Sequence, residues 1–81
     1  MQYDHLIAGR IIRQLREERG LTQEVLSGLS AISRSHLAEI ESGVTNANLN
    51  TLWKISQGLG IKLSELIKMV EQAIDAKDMI R

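Results

Sequence analysis

Apolar residues recur at helical spacing along nearly the whole chain. Ile7, Ile11 and Leu15 stand four apart, and Ile12 stands three before Leu15, which draws one stripe on a first helix. Asp4 suits its N-cap and Gly20 its end. A second helix is predicted from Thr22, whose hydroxyl precedes the run Val25-Leu26-Leu29. Gly28 inside it weakens it by about 0.5–1 kcal/mol relative to Ala. Ser33 starts a third helix that carries Leu37 and Ile40 and ends at Gly43, with Ile32 placed as a staple before the cap. After the loop 43–48, Asn48 caps a fourth helix bearing Leu49, Leu52, Ile55 and Leu59, closed by Gly60. Ser64 is the expected cap of a fifth helix over about 64–80, with Leu66, Ile67, Val70 and Ile74 as its stripe. Glu65 in its first turn and Lys77 and Arg81 near its end suit the helix dipole. Strand-like alternation is missing throughout, so the pattern predicts a compact all-α fold of five short helices in one domain, 1–81.

Composition narrows the function. The 81 residues include no Pro and no Cys. The first permits helices throughout, and the second removes disulfides and thiolate metal sites. No apolar run approaches the roughly 20 residues needed to span a bilayer, and the start of the chain lacks a secretory pattern. A cytoplasmic protein without membrane association is expected. His5 and His36 are far apart in sequence and build no metal site. No Gly-rich phosphate loop or nucleophile constellation points to an enzyme, and neither a cofactor nor a small-molecule ligand is expected. Ten basic and ten acidic side chains cancel, and they do so in both 1–60 and 61–81. Net charge therefore does not announce nucleic-acid binding, and any such reading rests on where the charges sit.

Several separated segments match one pattern in order: Arg13-Gln14-Leu15-Arg16-Glu17-Glu18-Arg19-Gly20, Leu21-Thr22-Gln23-Glu24, Ile32-Ser33-Arg34, Ile40-Glu41-Ser42-Gly43 and Asn50-Thr51-Leu52-Trp53-Lys54-Ile55. Over residues 6–68 the chain resembles the Cro/repressor (XRE) family of helix-turn-helix regulators. In size it is similar to phage Cro-like regulators and restriction–modification controller proteins. The resemblance implies a lambda-repressor-like domain with its helix-turn-helix at the second and third helices. It further implies binding to double-stranded DNA as a dimer, with the third helix, about 33–42, in the major groove. With no ligand domain after residue 81, control by concentration or by a protein partner is expected. Three positions depart from the family pattern. Ala31 stands where the turn usually has Gly, Ser27 and Ser30 stand where Ala is common, and the loop after Gly43 lacks Lys and Arg.

Ser33, Arg34, Ser35, Ala38 and Glu39 match the family's base-reading positions. The chemistry agrees: Arg34 can grip guanine through two hydrogen bonds, Ala38 can touch a thymine methyl, and Glu39 can accept from a cytosine amine. Thr22, Gln23, Thr45 and Asn46 are the expected backbone contacts, although turn chemistry explains the loop residues equally well. Arg16 and Glu41 match a structural ion pair of the family. Arg10, Arg13 and Arg19 read as solvated helix face before they read as phosphate contacts. Trp53, Val70 and Ile74 offer apolar surface beyond what a small core needs, which suggests a homodimer through the fourth and fifth helices. The alternative is that this stripe packs back on its own domain. The expected function is a dimeric regulator of a pseudo-palindromic operator. A second reading, favoured by the neutral charge, is an antitoxin or anti-regulator whose main partner is another protein.

Overall fold

Asp4 opens the first helix. In the computed structural model, which describes residues 2–79, its Oδ1 accepts from the amides of Leu6 and Ile7, and its Oδ2 accepts from Lys77 Nζ at 2.9 Å. The Lys77 bond, together with the two amides, holds the Asp4 carboxyl below the usual carboxylate range. Helix α1 spans His5–Glu18, α2 Gln23–Ser30, α3 Arg34–Ser42, α4 Leu49–Leu59 and α5 Leu63–Met79. The described residues form no strand, and no helix among them is long and apolar enough to cross a membrane. Thr22, Ser33 and Asn48 cap α2, α3 and α4 by accepting from the amides of Val25, His36 and Thr51.

One expected cap is corrected. Helix α5 begins at Leu63, so Ser64 lies within its first turn. The N-cap position is Lys62, whose amide donates to Glu65 Oε1, the returning half of a capping box. The expected end at residue 80, and Arg81 with its dipole role, lie outside the described residues.

The main core is built by Ile12 and Leu15 of α1, Leu26 of α2, Leu37 and Ile40 of α3, Leu52, Ile55 and Leu59 of α4, and Leu66 of α5. These are the residues whose periodicity drew the helices. A second cluster joins Ile7 and Ala8 to Val70 and Ile74. The latter two are 2% and 3% exposed, because the first turns of α1 lie over them. They were expected at a dimer interface and are instead interior to the protomer. The α5 stripe does pack back on its own domain.

Helix α3 is mounted mainly on α1. Gly9 makes the approach possible: a Cβ there would run into the Ile40 carbonyl oxygen, far inside contact distance. His5 Nε2 donates to the Gly43 carbonyl just past the end of α3. Arg19, read from sequence as solvated, donates from Nε to the Leu59 carbonyl and from Nη1 to the Leu15 carbonyl. It therefore ties α1 to the end of α4.

The turn between α2 and α3 carries a local cost. Ala31 sits in the left-handed region (φ 56°, ψ 40°), the only non-glycine with positive φ among the described residues. The Ile32 amide reaches back to the Ser27 carbonyl and closes the turn. Left-handed backbone costs a residue with a Cβ about 1–2 kcal/mol, while Gly in the unfolded chain costs about 0.4–1 kcal/mol in return. Because Ala31 is exposed, Ala31→Gly is expected to stabilise the protein by about 0.5–1 kcal/mol, read as a thermal midpoint several degrees higher. A lower midpoint would mean that the methyl group makes a contact worth more than the strain.

Candidate nucleic-acid interface

Leu37, Ile40 and Glu41 are the buried residues of α3. At 100° per residue the opposite face carries Ser35, Glu39 and Ser42, with Arg34 and the half-buried Ala38 on one flank. Ser33, Arg34, Ser35 and Glu39 are all exposed. The structure thus brings Arg34, Ser35, Ala38 and Glu39 onto one outward side of α3, with Ser33 exposed at its N-cap. The Ser33 hydroxyl is occupied as an acceptor by the cap but retains its proton for donation.

The start of α2 lies beside this face. Arg13, Arg16, Thr22, Gln23, Glu24 and Arg34 line an open notch of about 580 Å³. Thr22 spends its oxygen on the Val25 amide. The amides of Gln23 and Glu24 have no partner inside the helix and present the positive end of its dipole. Arg13 Nε is held at 3.4 Å by Glu17 on the exposed side of α1. Arg34 has no ion-pair partner among the described residues. Thr45 is half-buried and Asn46 exposed, in the loop after α3. Its backbone is fixed by the Val44 and Thr45 amides, both donating to the Glu39 carbonyl.

Beneath the notch, Arg16 and Glu41 meet as the resemblance implied. Arg16 Nε donates to Glu41 Oε2 at 2.8 Å, and Nη2 donates to Oε1 at 3.0 Å. Nη1 donates to the Leu21 carbonyl at 2.8 Å. Glu41 keeps the guanidinium charged, raising its pKa against the opposing effect of burial. Sequence reading missed a third member: Gln23 Nε2 donates to Glu41 Oε1 at 3.1 Å. Gln23 was expected to reach a phosphate. One N–H of its amide is committed to Glu41, which positions the start of α2, and the second remains for another acceptor. The spacing of 18 residues gave no local signal of that bond.

On another side of the molecule, Leu49 and Trp53 are exposed at 66% and 55%. They stand four apart on one stripe of α4, flanking the buried face of Leu52, Ile55 and Leu59. Trp53 joins Leu63 and Ile67 of α5 along an open groove of about 620 Å³, edged by Lys62 and Glu71. Of the three residues expected at a dimer interface, Trp53 alone is exposed. Leu49, Leu63 and Ile67, not Val70 and Ile74, are its apolar neighbours or stripe-mates.

The family model described as Helix-turn-helix, HTH_3, matches residues 12–66. The control protein C.MunI of Mycoplasma sp is 40% identical over 65 residues, covering 79% of this chain and 88% of that protein. The HTH-type transcriptional regulator DdrOP3 of Deinococcus deserti is 38% identical over 60 residues, 74% of this chain; the match spans 46%, about half, of that regulator. The crystal structure of the restriction-modification controller protein C.AhdI from Aeromonas hydrophila superposes with a TM-score of 0.75 at 35% identity, covering 80% of this chain and 98% of the controller.

Proposed function

This chain belongs to the helix-turn-helix family HTH_3, and from that membership we propose that it is a sequence-specific transcriptional regulator acting as a homodimer on double-stranded DNA. The family is one of DNA-binding regulators and not of enzymes. The observation that carries the reading is the outward side of α3. Ser33, Arg34, Ser35, Ala38 and Glu39 stand together there, next to the free amides of α2 and on a helix fixed by the Arg16–Glu41 pair. A helix so mounted enters the major groove with its N-terminal residues toward the bases. Thr22, Thr45, Asn46 and the α2 amides are then the phosphate contacts that set register. Gln23 holds α2 in place through Glu41 and keeps its second amide N–H for a phosphate.

The groove between α4 and α5 is the proposed dimer surface. Its apolar residues Trp53, Leu63 and Ile67, with Leu49 on the same stripe of α4, suit an isologous contact with a second copy. A two-fold dimer places two copies of α3 one DNA turn, about 34–36 Å, apart.

Selection of bound sites from a random DNA pool at about 0.1 M salt tests this reading, since salt strongly sets such affinities. An inverted repeat with half-sites one turn apart is expected. Arg34→Ala should lower operator affinity about 5- to 150-fold per half-site, from the roughly 1–3 kcal/mol carried by a bidentate guanine contact, and should erase one guanine from the motif. If a folded, dimeric protein enriches no motif, the protein-partner reading replaces this one. That reading is favoured by the neutral charge and by the lack of Lys and Arg in the loop after α3.

A further inference from the structure

Glu39 sits in the middle of the outward face of α3, between Ser35 and Ser42 and beside Ala38, none of which carries a charge. Its carboxylate has no ion-pair partner among the described residues. The one Lys or Arg on the helix, Arg34, is five positions away, about 7.5 Å along the axis. Arg13, which shares the notch with Arg34, is paired with Glu17 at 3.4 Å. A bare carboxylate in a major groove is repelled by the phosphates and by the acceptors on base edges: N7 and O6 of guanine, O4 of thymine and N7 of adenine. Cytosine alone presents a donor, its N4 amine, without an adjacent acceptor.

Resting on the reading of α3 as the DNA-facing helix, we infer that Glu39 is a specificity-determining residue that accepts from cytosine N4 and makes a C·G pair obligatory at one position of each half-site. Its partner in recognition is Arg34, which takes a guanine about two base steps away, the helix rise between them divided by the rise of DNA. The carboxylate acts mainly by exclusion. With few free cations to offset its charge, a base pair without a donor at that place leaves it desolvated and unpaired. Selectivity is thereby gained at the expense of affinity for DNA in general.

The test compares motifs selected from random DNA by the full chain and by its Glu39→Gln and Glu39→Ala variants, followed by competition binding. The wild-type motif should hold a cytosine at one position, and replacing it should weaken binding about 5- to 150-fold. The Gln variant presents a donor and an acceptor, which match adenine N7 and N6, so the preference should switch from C to A there and nowhere else. The Ala variant should lose preference at that position only. Because Glu39 is exposed and its carboxylate bonds to no side chain or backbone group among the described residues, all three should give the same helical spectrum. If the motifs are identical and the variants merely bind more tightly everywhere, Glu39 is a repelling charge and the inference fails while the DNA reading stands. A wild-type motif without a cytosine responding to position 39 overturns it equally. No motif from the wild type overturns the DNA reading itself, and this inference with it.

Discussion

Replacing Glu41 by Ala is expected to cost about 3–5 kcal/mol of folding stability, the range for removing one partner of a buried pair. Arg16 and Glu41 are 8% and 6% exposed, and two hydrogen bonds join them. Without Glu41 the mostly buried guanidinium keeps only the Leu21 carbonyl as an acceptor among the described residues. Gln23 loses its acceptor at the same time. A domain of this size is marginally stable, near the lower end of the usual 5–15 kcal/mol, so the loss is most of what holds it folded. Urea denaturation of the purified variant measures it. The double replacement Arg16→Met with Glu41→Leu separates the two sources of the effect. It removes both charges and fills the space, and should recover most of the stability, because the cost lies in stranding a charge and not in lacking the pair. A loss below about 1 kcal/mol for Glu41→Ala would show that solvent reaches the pair as it reaches surface ion pairs.

How far the sequence reveals such features depends on the distance over which their causes act. The caps at Asp4, Thr22, Ser33 and Asn48 were legible because a capping side chain bonds amides two or three residues away. Ser64 misled for the same local reason: a capping residue type stood as the second residue of the helix, while the N-cap at Lys62 is marked only by Glu65 reaching back. The apolar stripes placed the core correctly, yet a stripe says that a face is covered and not what covers it. Val70 and Ile74 read as spare surface until the first turns of α1, with Ile7 and Ala8, came to lie over them. The spare surface on α4 was half read: Trp53 was set outside the core, whereas Leu49 was grouped with Leu52, Ile55 and Leu59 and is exposed. Long-range pairings were not legible from spacing. The Arg16–Glu41 pair came from family resemblance, and the bond from Arg19 to the Leu59 carbonyl, 40 residues away, had no signal at all. Gly9 drew no notice in the sequence, and its purpose exists only once the Ile40 carbonyl lies against it.

The second large effect concerns assembly. Trp53→Glu is expected to leave the fold intact, to make the protein monomeric at micromolar concentration, and to weaken operator binding about 10²–10⁴-fold, the usual gain from tethering two binding modules. In an isologous contact the substitution enters twice, close to its own copy across the two-fold axis, so apolar area is lost and like charges are brought together. Of the two charges already on the edge of the groove, Glu71 adds to the repulsion and Lys62 offsets part of it. Sedimentation gives the oligomeric state, and titration of a labelled operator gives the affinity. Sites selected by the variant should shrink to one half-site with its base preferences unchanged, because α3 and its mounting on α1 are untouched. Ile74→Glu supplies the contrast. Ile74 is 3% exposed beneath α1, so a carboxylate there is buried without a partner and should unfold the chain rather than divide a dimer. The pair of variants thus locates the interface as well as testing for it. If the Trp53 variant remained dimeric and kept its affinity, the second copy would have to dock elsewhere, and the α4–α5 groove would be free surface in the DNA-bound protein.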